Sequence, residues 1–519
     1  MTLDGILRRN ALRFPRRAAV VADDRARTWA DLDARVDRLS NGLLAAGLAA
    51  GERVAILAGN CPEYLEIYFA CARAGLIAVP VNYRLTTPEA RQILADAEPR
   101  ALIVAADYEP RGHELRALLP CIRHLWVLGA PARDAAGDYE ALIAAADPRA
   151  RTPAANERDC FAIFYTSGTT GLPKGAMVSH LNLEANGYNQ LIADRSEAAD
   201  INLIATPLYH MGAVFMAVTY MMLGCTQVVL SQFSALGWLA ALARHRATVS
   251  LLIPTMINML LNAPELERSD LSSLRLVFYG GGPMPPAVLD RALRRLRCSF
   301  TQGYGLTETL EATFLTGNDH VLDGDENQRR RLASAGREAV GAEVRIVDEA
   351  GHDVATGVVG EILVRSRSVI SGYWRQPDLT RAALRGDWFC TGDLGYLDED
   401  RYLFVVDRRK DMIVTGGVNV YTKEVEAVLY QHPAVREAAV FGVPDEQWGE
   451  CVTAAVSWCE GTSVTTAELA AYCHEQLAGF KCPKRYLVLP ELPRNPSGKI
   501  LKRELRDAAR AESPQLPGC

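Results

Sequence analysis

The feature that most restricts what this chain can fold into is the alternation, over most of its length, of short apolar runs with amphipathic segments. The runs Val54 to Leu57, Ile77 to Val81, Ala101 to Ala105, Phe161 to Tyr165 and Leu274 to Phe278 are short and largely apolar. Alternation of this kind predicts an α/β architecture with parallel-rich sheets and helices. Thr28 and Asp31 form a capping-box start to a helix whose Leu32, Val36, Leu39 and Leu43 share one face. A second helix opens at Pro62 and stops at Gly75.

The 519 residues exceed what one hydrophobic core supports, so more than one domain is expected. The texture changes at Asp407-Arg408-Arg409-Lys410-Asp411, five charges between the strand-like Tyr402 to Val406 and the apolar Met412 to Val414. This run is read as a hinge at residues 407–411, between a large N-terminal domain, 1–406, and a small α+β domain, 412–519. The small domain is expected to hold helices from about Thr422 to Gln431 and Thr465 to Leu477, with strands near Ala438 to Phe441 and Thr453 to Trp458.

A net charge of −6 gives no general field to attract nucleic acid or anionic lipid, so any polyanion must be captured locally. The twelve cysteines are scattered, without a C-x-x-C pair, and read as thiols in a reducing compartment. Met1 to Phe14 lacks the continuous apolar core of a signal peptide, and a cytoplasmic location is expected. Met211 to Leu230 carries no charge and is long enough to cross a bilayer. Its Gly212, Gly224, Thr219, Thr226 and Gln227, with Val228-Val229 at the end, favour instead a buried helix running into a strand.

The most informative segment is Thr166-Ser167-Gly168-Thr169-Thr170-Gly171-Leu172-Pro173-Lys174-Gly175, directly after the run Phe161 to Tyr165. Glycines let backbone N–H groups turn toward an anion, while the hydroxyls and Lys174 add donors and charge, the makings of a phosphate cradle. Gly175 rather than Ser or Thr follows the lysine, so this is not the Walker pattern.

With this loop stand, in order, Pro207-Leu208-Tyr209-His210, Gly280-Gly281-Gly282-Pro283, Gly303-Tyr304-Gly305-Leu306-Thr307-Glu308-Thr309, Thr391-Gly392-Asp393, the charged run, Gly416-Gly417, and Asn495-Pro496-Ser497-Gly498-Lys499. The set resembles the adenylate-forming superfamily of acyl-CoA synthetases, peptide-synthetase adenylation domains and luciferase, most closely the acyl-CoA synthetases. The resemblance implies a two-step ligase: a carboxylic acid and ATP give acyl-AMP and pyrophosphate, then CoA takes the acyl group and AMP leaves. ATP, Mg²⁺ and CoA are the implied cofactors. By the same resemblance Glu308 holds the metal with Thr307 on the phosphate, Tyr304 stacks on adenine, and Asp393 and Arg408 take the ribose. Thr166, Ser167, Gly168, Thr169, Thr170, Gly171, Lys174, Gly281 and Gly282 complete the ATP site, and Lys499 bridges acid and α-phosphate.

The implied acid pocket is formed by His210, Met211, Val214, Gly281 and Leu310 and looks apolar, so fatty, aryl or polycyclic acids are expected. His210 reads equally as a core histidine satisfied by backbone. No aspartate stands where amino-acid-specific relatives place theirs, since Tyr209 and His210 follow Leu208. Gly416, Gly417 and Trp448 are the implied walls of a pantetheine tunnel, and Lys410 the implied pivot. Val418, Thr422 and Cys482 depart from the family pattern, where Glu, Pro and a basic residue are usual. A ligase that loads a separate carrier protein, a non-catalytic nucleotide or acyl binder, and a homodimer remain open.

Overall fold

A computed structural model describes residues 1–129, 136–149, 155–167, 173–282, 284–445, 447–494 and 500–511. Two compact units are present: Met1–Val344 with Val364–Cys390, and Arg345–Leu363 with Thr391–Cys519.

The first unit is α/β, as expected. One seven-stranded sheet runs in the order Gly137–Asp138, His124–Leu128, Ala101–Ala105, Arg53–Leu57, Ile77–Pro80, Cys160–Ser167, Pro173–Ser179. All its pairings are parallel except the last, the hairpin that carries the glycine-rich loop. Parallel strands covered on both faces need apolar residues at successive positions, which is why these runs do not alternate with polar ones.

The nine-stranded sheet places Leu310–Leu315, Ser299–Leu306, Leu276–Gly280, Val249–Leu252, Ile201–Ile204 and Thr226–Val229 side by side, with short antiparallel strands at its edges. The last of the strand-like runs lies two residues farther on than its apolar signal suggests, at Leu276–Gly280. Gly280 belongs to the ladder because it pairs with Gly303, whose carbonyl leaves no room for a Cβ.

The helical signals hold. Thr28 and Asp31 form a reciprocal capping box, with Leu32, Val36, Leu39 and Leu43 buried, and the Pro62–Ala74 helix ends at Gly75 in the left-handed region, φ 67°. The uncharged stretch folds as a helix, Met211–Met222, and a strand, Thr226–Val229, with its core side chains buried. Among the described residues no helix is long and apolar enough to cross a membrane.

In the second unit, Val418–Val420, Ile413–Thr415, Gly449–Trp458 and Val435–Asp445 form a sheet, to which Arg485–Val488 adds in parallel beside Gly449–Trp458. Helices Thr422–Gln431 and Thr466–Gln476 pack on it around Val425, Leu429, Val440, Ala454 and Leu469, and both match the expected spans. The unit begins earlier than residue 412. Trp388–Leu397 pairs with Leu403–Arg408, so residues from Thr391 onward, and 345–363, cluster with it. The strand also runs two residues into the expected hinge, because Arg408 pairs with Asp393 and the buried Asp407 accepts from the Thr422 amide and hydroxyl. Lys410 lies in the exposed turn that follows.

Candidate active site

In open α/β sheets, ligands bind beyond the carboxyl ends of the strands, where the strand order reverses. In the nine-stranded sheet that reversal is at Ile201–Ile204, which has Thr226–Val229 on one side and Val249–Leu252 on the other, both parallel. The segment leaving its carboxyl end is Pro207-Leu208-Tyr209-His210. Asn60 Nδ2 donates to the Thr206 carbonyl, the Leu208 amide donates to Asn60 Oδ1, and Tyr68 donates to the Leu208 carbonyl, which fixes the path of this loop.

His210 caps the Met211–Met222 helix, its Nδ1 accepting from the Gly212 amide at 3.2 Å. Burial among protein atoms lowers its pKa, yet the residue is solvent-accessible. Of the other expected pocket residues, Met211, Val214 and Leu310 are buried in the main core, whereas Gly281 is exposed at the end of its strand. Gly281 has φ 76°, and a Cβ on Gly282 would meet no atom of the described residues within 4 Å.

The next strand ends in Gly303-Tyr304-Gly305-Leu306 and turns back at Leu310, which adopts φ 52°. A side chain on Gly305 would overlap the Leu310 carbonyl, so glycine is obligatory. The Thr309 amide donates to the Leu306 carbonyl and the Leu306 amide to Thr309 Oγ1 at 2.9 Å, which puts Thr307 and Glu308 at the tip. Tyr304 is half-buried on the strand before it.

Glu308 Oε1 accepts from the Tyr373 hydroxyl at 2.9 Å, and the Glu308 carbonyl accepts from the Ile370 amide. The ring of the same tyrosine lies 5.6 Å from Lys174 Nζ, within range for a cation–π contact. Burial first, and then the Glu308 charge, push the Tyr373 pKa well above its ordinary value, so the hydroxyl stays protonated and donates. Lys174 sits opposite Thr166 at the mouth of the hairpin, with Ser167 opposite Pro173. Thus one tyrosine joins the lysine of the glycine-rich loop to the glutamate of the Gly303–Thr309 motif. Sequence reasoning missed Tyr373, because an aromatic pair in Gly372-Tyr373-Trp374 carries no chemical signature of its own. Gly168, Thr169, Thr170, Gly171 and Lys499 lie outside the described residues.

Within the second unit, Arg408 Nε meets the buried Asp393 carboxylate at 3.1 Å, on paired strands. Lys423 lies close by: burial lowers its pKa, opposed by the charges of Asp393 and Asp407. Thr422, a departure from the family pattern, donates its amide to Asp407, a bond a proline could not make. Gly416 has φ 59° and Gly417 φ 78°. The Gly416 amide donates to the Trp448 carbonyl, a Cβ on Gly416 would touch the Trp448 ring, and one on Gly417 would meet nothing among the described residues within 4 Å. These three residues therefore share one spot. Lys484 Nζ lies 4.4 Å from the centre of the Trp448 ring. Cys482 is buried in the core of this unit and offers nothing to a ligand; the basic group beside Trp448 is Lys484, two residues on.

Among the described residues no group of three or more His, Cys, Asp or Glu could hold a metal. A single carboxylate such as Glu308 suits Mg²⁺, which is commonly bound by one or two carboxylates plus substrate phosphates. A separate hollow of about 590 Å³, lined by Leu266, Leu271, Arg294 and Arg297, lies at the amino ends of the strands, away from these groups.

Residues 7–374 match the family model described as AMP-binding enzyme, and residues 424–499 the AMP-binding enzyme C-terminal domain. A feruloyl-CoA synthase of Amycolatopsis sp is 40% identical over 499 residues, covering 96% of this chain and 97% of that protein. The fatty acid–[acyl-carrier-protein] ligase ScoC of Streptomyces coeruleorubidus is 37% identical, covering 95% and 93%. The crystal structure of ATP-bound MatB from Rhodopseudomonas palustris superposes with a TM-score of 0.88 at 32% identity, covering 98% of this chain and 99% of that one.

Proposed function

The chain belongs to the AMP-binding enzyme family, and from that premise we propose that it is an ATP-dependent acid–thiol ligase acting on aryl or fatty carboxylic acids. A carboxylate oxygen attacks the α-phosphorus of ATP, the bond from that phosphorus to pyrophosphate breaks, and acyl-AMP forms. The thiol of CoA then attacks the acyl carbon, loses its proton, and AMP leaves. The observation that carries this reading is the convergence of Lys174 and Glu308 on Tyr373, beside the glycine-lined strand ends.

The first step brings anion to anion, so the residues must supply positive charge and order. Lys174 and the loop from Thr166 to Gly171 would bind the phosphates, with Thr307 alongside. Tyr304 would stack on adenine, Gly281 and Gly282 would let the nucleotide approach the backbone, and Asp393 with Arg408 would take the ribose hydroxyls. Glu308, oriented by Tyr373, would hold Mg²⁺, which when bound lowers the negative charge of the phosphates. His210 would form a wall of the acid site. Lys499 would bridge acid and α-phosphate, and Gly416, Gly417 and Trp448 would admit pantetheine. CoA is the acceptor this reading favours; transfer to a carrier protein is the second, supported by the likeness to ScoC. Use of ATP and CoA agrees with a cytoplasmic location, which we adopt on that ground.

Isotopic pyrophosphate should exchange into ATP only when a carboxylic acid and Mg²⁺ are both present, and free amino acids should be poor substrates. Exchange without any acid, or none with any acid of a broad panel, refutes the reading and favours a non-catalytic binder. For the pivot, proline fixes φ and restricts the preceding residue. Lys410→Pro should therefore depress thioester formation more than pyrophosphate exchange. Equal loss in both at an unchanged melting temperature removes Lys410 from that role.

A further inference from the structure

Between the strand Gly360–Ser366 and the helix Pro377–Ala383, residues 367–376 belong to no helix or strand, yet Ser368, Ile370, Gly372 and Tyr373 are buried. Irregular chain taken out of water must find partners for its own N–H and C=O groups. Where those partners lie therefore says what the segment holds.

They come from the two motifs of the site. On one side the Ile370 amide donates to the Glu308 carbonyl, the wholly buried Ser368 hydroxyl to the Thr309 carbonyl at 2.9 Å, and the Tyr373 hydroxyl to the Glu308 carboxylate. On the other, Tyr373 bridges to Ala176: the Met177 amide donates to the Gly372 carbonyl at 3.0 Å, and the Trp374 amide to the Gly175 carbonyl at 2.7 Å. Gly175 follows Lys174, and a Cβ there would press on Trp374. The segment thus ties the Thr307-Glu308 turn to the strand that leaves the glycine-rich loop.

A third anchor lies behind them. Asn182 is buried in the first turn of the helix His180–Ala193, which follows the strand Pro173–Ser179 directly. Its Nδ2 donates to the Arg367 and Val369 carbonyls, both at 2.8 Å, and its Oδ1 accepts from the Ser179 amide and hydroxyl. A side-chain amide has two hydrogens to give and two lone pairs to receive, so Asn182 is wholly spent on the helix cap and the tie. Buried polar groups engaged in this way fix one arrangement rather than several.

We propose that Ser368 and Asn182 are positioning residues for adenylation: through the tie at 367–376 they set Glu308, and its spacing from Lys174, for the metal and phosphates of ATP. This rests on the ligase reading above. Both act through other residues, Ser368 through Thr309 and Asn182 through the Arg367 and Val369 carbonyls. Groups that orient a metal's carboxylate from behind typically change affinity or activity by roughly ten- to a hundredfold when lost. In the ligase reading pyrophosphate leaves before the thiol attacks, so the tie serves adenylation and not transfer.

The test uses Ser368→Ala, which deletes one oxygen, and Asn182→Asp, which keeps the helix cap but as a carboxylate cannot donate to the tie. Leu289→Ala, from a separate core cluster, controls for lost stability. The Mg²⁺ half-saturation of pyrophosphate exchange is measured beside calorimetric binding of Mg²⁺ with a non-hydrolysable ATP analogue, thioester formation from supplied adenylate, and melting temperature. Ser368→Ala and Asn182→Asp should weaken Mg²⁺ in both measurements by about tenfold or more and keep transfer from the adenylate. Leu289→Ala should lower the melting temperature and leave Mg²⁺ affinity as it was. A wild type that exchanges with no carboxylic acid sinks the ligase reading itself. A working wild type whose Mg²⁺ affinity is unchanged in the two variants, or falls as far in Leu289→Ala, leaves the ligase standing and overturns this inference. Each of the two variants decides alone if the other fails to fold.

Discussion

Lys499→Ala should slow adenylate formation by a factor on the order of 10²–10³, the usual cost of removing one donor that meets charge developing in a transition state. The same variant should still transfer the acyl group to CoA when acyl-adenylate is supplied. The asymmetry follows from the proposed chemistry. In the first step a carboxylate approaches a phosphate, and a cation shared between them lowers the barrier. In the second step a thiolate attacks a neutral acyl carbon and AMP departs, a step in which a cation bridging acid and α-phosphate has no such task. The measurement is pyrophosphate exchange and thioester formation from synthetic adenylate on one preparation, with its melting temperature. Equal loss in both steps assigns Lys499 a structural part and removes it from adenylation.

Much of the fold could be read from the chain because its signals are local. A capping box at Thr28 and Asp31, proline at the start and glycine at the end of Pro62–Ala74, and apolar runs such as Ala101–Ala105 each declare an element without reference to the rest. The strand at Leu276–Gly280 lies two residues beyond its apolar signal because its last member is held by a cross-strand glycine contact, and composition does not register such a contact. For the same reason the charged run at 407–411 conceals that Asp407 and Arg408 are strand residues with partners at Thr422 and Asp393.

The site divides in a similar way. Glycine-rich loops and the Thr307-Glu308 pair stand out since few other arrangements need those residues together. Tyr373 and Lys484 do not, because each gains meaning only from what lies beside it: Glu308 and Lys174 for the first, the Trp448 ring for the second.

Gly417→Leu should abolish most thioester formation while adenylate formation continues. Two causes could produce a loss at this position, and the structure lets them be separated. Gly417 sits at φ 78°, where any L side chain is strained, so every substitution costs some stability through the backbone. That cost is set by the Cβ and is nearly the same for alanine and leucine. The space beyond the Cα is the other matter: a Cβ built there meets no atom of the described residues within 4 Å, and Trp448 lies against the neighbouring Gly416, so the direction a side chain takes is the opening through which pantetheine is proposed to pass. An alanine methyl leaves most of that opening clear, whereas a leucine fills it. Obstruction therefore predicts a small effect on transfer from Gly417→Ala and a severe one from Gly417→Leu, with pyrophosphate exchange kept in both. Backbone strain alone predicts that the two variants lose the same activity and the same few degrees of melting temperature, and a leucine variant with wild-type thioester output would take Gly417 out of the path of the thiol altogether.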